Sequence, residues 1–358
     1  MTTPETAGRP EAEDKRAHFP RLRTGRRWLN LIWTIPAVAI LLLVVVGIGV
    51  GLRQIPGVED FIARYPGTGE RAEPQGFPWW LRWQHFLNIV FLLPIMRSGL
   101  QILAGRPRLF WRLGQRPGSE WLRMNAPVEP GTRVSPRHDA VALPTQLGLP
   151  GTRRSTASAR WWHLTITMLW LLNGVVFYIV LFATGQWVRV VPTSLDVFPN
   201  ALSAVLQYAS LDFPDQRSWV AYNGIQLLTY FVTVFIAAPL AVITGMLQSP
   251  RISRAVGAAQ SRLFNAEAAR SVHAIVLGWF IVFTIVHVAL VLSTGAAENL
   301  NHITIGQSGT GPAGLVLFGV GVVVLAVLWV IASPVTNRWP DRVQAVAVRM
   351  LGPLSRWF

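Results

Sequence analysis

Six long apolar runs set the pattern of the chain, near residues 29–52, 79–104, 161–184, 222–247, 271–294 and 313–333. A hydrocarbon core of about 30 Å needs roughly 20 apolar residues in helical form, so each run predicts a membrane-spanning helix. The first, from Leu29 to Leu52, exceeds the apolar part of a secretory leader, and no small-residue cleavage site follows it. It reads as an uncleaved helix. Between the runs the chain turns polar. Residues 105–160 are rich in Arg, Pro and Gly without a sustained apolar period, which predicts irregular chain. Phe198 to Leu211 shows apolar positions at helical spacing and predicts a short amphipathic helix on the membrane surface. Arg342, Arg349 and Arg356, seven apart among apolar residues, suggest an interfacial helix over 341–358. The expected fold is an all-α integral membrane bundle. It comprises a disordered tail over 1–28, an extra N-terminal helix over 29–52, a four-helix core over 79–294, a sixth span over 313–333 and an interfacial tail over 334–358.

Composition narrows the chemistry. Only 14% of the residues are charged, against about 25% in soluble chains. The absence of cysteine excludes disulfides, iron–sulfur clusters, covalently attached haem, thiolate zinc sites and cysteine nucleophiles. Redox chemistry would therefore rest on noncovalent cofactors. The net charge of +15 comes almost wholly from arginine, and its placement is uneven. Residues 1–28, 105–160, 248–270 and the C-terminal tail hold 25 Lys and Arg, whereas 53–78, 185–221 and 295–312 hold 5. This asymmetry predicts that both termini face the cytoplasm. It also accounts for the basic balance without a nucleic acid partner.

Ionisable side chains at bilayer depth are costly and mark function by default. The six runs contain no Asp or Glu, which argues against a proton-relaying transporter, but they do contain His85, His163, His273, His287, Arg82 and Arg97. Alternating span direction sorts the histidines by depth, His85 with His287 near the outer face and His163 with His273 near the inner one. His273 and His287 are fourteen residues apart, so they lie within about 40° on one helix face and roughly 21 Å apart along it. Two imidazoles from two helices at each depth suit the axial positions of a haem iron, and two such levels suit a pair of b-type haems stacked across the bilayer.

Arginine recurs three residues before a histidine, in Arg82-Trp-Gln-His85, Arg160-Trp-Trp-His163 and Arg270-Ser-Val-His273. At that spacing it shares the histidine's helix face one turn nearer the surface, where a guanidinium suits a haem propionate. Anchoring of a helix end is the competing account for Arg160 and Arg270. Gly99, fourteen residues after His85, offers room for a macrocycle or simply for helix packing. Arg97 lies near the same level, within reach of a propionate or a quinone. Tyr222, Asn223, Gln226 and Thr229 form a polar stripe with either a cofactor or an interfacial role. His18 and His138 read as solvated, and His302 as a loop residue beside the outer level.

These residues carry a resemblance. The chain resembles the di-haem transmembrane cytochrome b family, which includes membrane subunits of nickel–iron hydrogenases, formate dehydrogenases and thiosulfate reductases. It is most similar to bacterial cytochrome b proteins that accompany molybdopterin-dependent oxidoreductases. The likeness covers roughly 77–305. It rests on Arg82-Trp-Gln-His85-Phe-Leu-Asn, Arg97-Ser-Gly-Leu, Arg160-Trp-Trp-His163, Phe182-Ala-Thr-Gly-Gln-Trp187, Phe198-Pro-Asn-Ala201, Tyr222-Asn-Gly-Ile-Gln226, Ser271-Val-His273, His287 and Asn301-His302. It implies axial ligation by His85, His163, His273 and His287, two haem b groups, and a location in the bacterial plasma membrane. It also implies electron exchange between membrane quinone and an extracytoplasmic, molybdopterin-dependent or similar redox subunit, so the chain would be the electron-transfer subunit of an oxidoreductase complex. The alternatives are a stand-alone quinol-linked oxidase or reductase of a small oxidant, and a haem-free membrane anchor or assembly protein.

Overall fold

A computed structural model describes residues 18–67, 76–127, 139–144, 147, 157–214, 221–249 and 265–339, with 341, 342, 345, 346 and 349. It is mostly helical, and six helices are long and apolar enough to cross a membrane. They are α1 (Thr34–Leu52), α3 (Trp79–Gly105), α4 (Ala157–Ala183), α6 (Gly224–Leu247), α7 (Ala266–Ser293) and α9 (Ala313–Arg338). Among the described residues, three shorter α-helices lie between spans: α2 (Pro56–Arg64), α5 (Val197–Ala209) and α8 (Ala296–Thr304). The amphipathic segment is thus helical as expected, whereas α8 falls where the sequence suggested loop.

Local chemistry sets the ends. The fifth span starts five residues before its apolar run because the Asn265 side chain accepts from the Glu267 and Ala268 N–H groups, at 3.0 and 2.9 Å. This cap draws Glu267 and Arg270 into the first turns of α7, so one carboxylate does belong to a spanning helix. In α6, Val232–Ala237 is wound as a π-helix. Pro239, two residues past this stretch, has no N–H to offer the Val234 carbonyl five residues back. That carbonyl instead accepts from the Tyr178 hydroxyl of α4 at 2.5 Å.

Helices α3, α4, α6 and α7 form the bundle, α3 packing along α4 and α7 along α6. Met96, Ala237, Val276 and Phe280 meet at its centre. The side chains of α1 are almost all exposed, as suits a helix solvated by lipid. It meets α5 at Gly49, where an added Cβ would lie 2.7 Å from Ala209. At the far side α9 packs on α8. The Asn301 side chain accepts from Gly314 N and donates to the Gly309 and Gly311 carbonyls, fastening the turn between them.

Where the spans end beside α3's C-terminus, two segments expected to be irregular form a small sheet. Strands β1 (Arg21–Thr24), β2 (Arg27–Asn30), β3 (Arg108–Leu109) and β4 (Leu122–Arg123) run antiparallel in the order β2-β1-β4-β3. The expected disorder of 1–28 is therefore corrected for 21–28, and the irregular reading of 105–160 for its first part. Residues 1–17, His138 and most of the 341–358 segment lie outside the described residues. The sheet is fixed from beneath by a buried ion cluster. Arg108 donates to Glu120 at 2.8 Å and to Asp139 at 3.0 Å, with Arg123 3.6 Å from the same Glu120 oxygen.

Removing one member of a buried ion pair costs about 3–5 kcal/mol, because its partner stays charged and dry. Glu120→Ala is thus expected to lower the thermal unfolding midpoint of the detergent-solubilised protein and to open 106–125 to proteolysis. An unchanged midpoint and cleavage pattern would show that the cluster is solvated.

Candidate functional site

The bundle brings the four intramembrane histidines together in two pairs, as the depth argument expected. His85 of α3 faces His287 of α7 with ring centroids 6.1 Å apart and planes at 56°. His163 of α4 faces His273 of α7 at 6.1 Å and 69°. One helix, α7, contributes a ring to both pairs, and the fourteen-residue interval spaces them by roughly 21 Å. Phe280 lies midway in sequence between His273 and His287, and its ring meets Trp170 of α4 edge-on at 6.4 Å. Trp170 in turn donates to Asn88 at 3.0 Å.

The two levels are held differently. His287 stacks on Phe283 at 5.5 Å and 8°, with the Tyr230 ring edge-on at 6.1 Å. Tyr230 continues to Tyr222 at 4.8 Å, within the polar stripe expected at this end. A cavity of about 2310 Å³ opens here, and its wall includes His85, His287, Arg82, Tyr222, Tyr230 and Thr304. At the other level, His163 Nδ1 lies 3.1 Å from both Ser98 Oγ and Ile95 O, and His273 Nδ1 lies 3.0 Å from Thr244 Oγ1.

The arginines have unlike surroundings. Arg82 reaches into the cavity wall, donating from Nη1 to Thr304 O at 3.0 Å, while its buried Nε has no partner among the described residues. Arg97 donates to the carbonyls of Leu147 and Trp329 and lies 4.0 Å over the Trp329 ring, which ties α3 to α9. Arg270 donates to the carbonyls of Arg106 and Arg108, and so clips α7 to the chain leaving α3. Arg160 is exposed at the start of α4. Gly99 sits at the His163 level, where an added Cβ would lie 3.5 Å from the His163 ring.

Sequence reasoning missed several residues. Ser98, Thr244 and Gly245 touch the second pair, yet each reads as an ordinary small residue of a spanning helix. Arg189 is buried beside Phe77, donating to Gln186 and to the Gly76 carbonyl. His302, read as a loop residue, is 2% exposed.

The fold and this site define a multi-pass helical membrane protein with histidine pairs at two depths. A family model described as prokaryotic cytochrome b561 matches residues 76–303, more than half of the chain, and the chain belongs to that family. It is accordingly a membrane electron-transfer protein of a family that binds haem b. The match runs from just before α3 into α8, leaving α1 and α9 outside it. No curated protein and no solved structure matches the chain.

One residue beside the site gives a pH signature. Burial holds the His302 imidazole below its ordinary pKa, opposed in part by Glu298 at 3.7 Å. With the folded pKa below the unfolded value of about 6.5, the unfolded chain binds the extra proton, so this contribution to stability is present above pH 6.5 and is lost as pH falls. His302→Gln is expected to flatten the fall in unfolding midpoint between pH 7.5 and 5.5 (about one unit either side of that value). Parallel profiles for the two proteins would refute it.

Proposed function

We propose that the chain is a di-haem electron conduit, with His85 and His287 as axial ligands of one haem b and His163 and His273 as those of the other. The observation that carries this reading is the 6.1 Å centroid separation found at both levels. Two metal–imidazole bonds of about 2 Å, with about 1 Å from nitrogen to ring centre on each side, place such centroids about 6 Å apart. Among the described residues no three His, Asp or Glu side chains gather. Each pair therefore offers two ligands, and a macrocycle is the natural source of the remaining four. Haem would supply a one-electron couple at each pair.

The chain's own residues bind, orient and shield. Three helices carry the imidazoles, and the bundle core between the levels keeps water from the intervening space. Arg82, with its free Nε in the cavity wall, is suited to a propionate of the His85/His287 haem. Arg160 and Arg270 occupy the corresponding sequence position at the other level, where Arg160 is the exposed member available to a propionate. The resemblance extends the reading to electron exchange between the membrane quinone pool and an extracytoplasmic, molybdopterin-dependent redox subunit. The arginine asymmetry supports cytoplasmic termini, with the His163/His273 level on that side.

The expected haem content, by pyridine haemochrome, is two b-type haems per chain. His287→Ala should remove one spectral component and His163→Ala the other. Arg82→Gln should lower the midpoint potential of the component lost in His287→Ala, since withdrawing a positive charge favours the oxidised iron. One haem or none in haem-replete protein, or loss of both components from a single folded variant, would overturn the pairing. For orientation, the cysteine-free chain allows single reporters. A cysteine at Ser308 should react with an impermeant maleimide outside intact cells, and one at Ser119 should not. The reverse pattern would invert the topology.

A further inference from the structure

Two short stretches on different helices meet the second histidine pair in the same way. Ser98 and Gly99 of α3 lie against His163, and Thr244 and Gly245 of α6 lie against His273. In both, the hydroxyl lies close to Nδ1, at 3.1 Å for Ser98 and 3.0 Å for Thr244. In both, a Cβ built on the following glycine would stand 3.5 Å from the ring's Cε1 and 3.9 Å from its Nδ1. Such a distance accommodates alanine, whereas a longer side chain would have to displace the ring. We infer that Ser98-Gly99 and Thr244-Gly245 are a matched pair of imidazole cradles, which fix the rings of His163 and His273 through Nδ1 and set the redox potential of that level below the one it would otherwise have. The inference rests on the axial-ligand reading above.

The hydroxyl protons settle which way each bond runs. Ser98 Oγ donates to its own helix at Pro94 O, 2.7 Å away, and Thr244 Oγ1 to Leu240 O at 2.6 Å. A hydroxyl has one proton, and with it given to the helix carbonyl the oxygen accepts from the imidazole. The Ile95 carbonyl, 3.1 Å from His163 Nδ1, is an acceptor in any case. Both rings therefore carry their proton on Nδ1 and leave Nε2 bare, the form an iron requires. Donation from Nδ1–H raises the basicity of Nε2 and so favours the oxidised metal. His85 and His287 have no such acceptor among the described residues. His287 is held instead by the Phe283 stack and the edge of Tyr230.

Redox titration of the purified, haem-loaded protein tests this by following the two spectral components separately. Thr244→Val keeps the side chain's shape and removes its oxygen. It should raise the midpoint potential of the component that His163→Ala abolishes and leave the other in place. Ser98→Ala should raise the same component, and Ser98→Thr should restore it. A backbone acceptor remains in both Ser98→Ala and Thr244→Val, Ile95 O for His163 and Ala241 O for His273. Gly245→Ala should retain both components, whereas Gly245→Leu should lose only the one belonging to His163 and His273. Unchanged potentials in both Thr244→Val and Ser98→Ala, or movement of the other component, would overturn the cradle. Wild-type protein without two haems would instead overturn the axial-ligand reading on which it rests.

Discussion

The arrangement of the bundle follows from one constraint, that α7 supplies an imidazole at two depths. A straight helix turns about 100° per residue, so an interval of fourteen keeps both rings on nearly one face and obliges the two opposing rings to lie on the same side of α7. The close packing of α3 along α4 meets that demand, since each brings one histidine to the shared face. Helix α6 completes the ring of four, and its π-helical stretch adjusts the path between Tyr230 at one level and Thr244 at the other. The helices outside this arrangement, α1 and α9, are also those outside the family match.

Much of this was legible in the chain because hydrocarbon is an unforgiving solvent. Apolar length gave the six spans, and the rarity of ionisable groups at depth singled out the four histidines and sorted them into the pairs now seen. The small sheet was not legible. Two of its strands are two residues long, too short for any alternation, and β1 finds β4 only across two intervening spans. The hydroxyls that hold His163 and His273 were hidden for a different reason. Ser and Thr in spanning helices commonly bond their own preceding carbonyl, as Ser98 and Thr244 do here, and nothing in the local sequence says that an imidazole shares the oxygen. The repeated Arg before His was visible, but its surroundings were not. Arg82 stands in a cavity wall and Arg270 grips backbone, and only the neighbouring elements distinguish the two cases.

The sheet also bears on how the chain is assembled. Strand β1 precedes α1, and β4 follows α3, so the pairing of Leu22 with Leu122 closes only after two spans have been inserted and returned the chain to its starting side. The start of α7 then docks on the same structure through Arg270 and through Ser271, which donates to the Phe110 carbonyl at 2.5 Å. A span inserted backwards or skipped during synthesis would leave these partners on opposite faces of the bilayer. The sheet can therefore close only on a chain whose first two spans have returned it to its starting side.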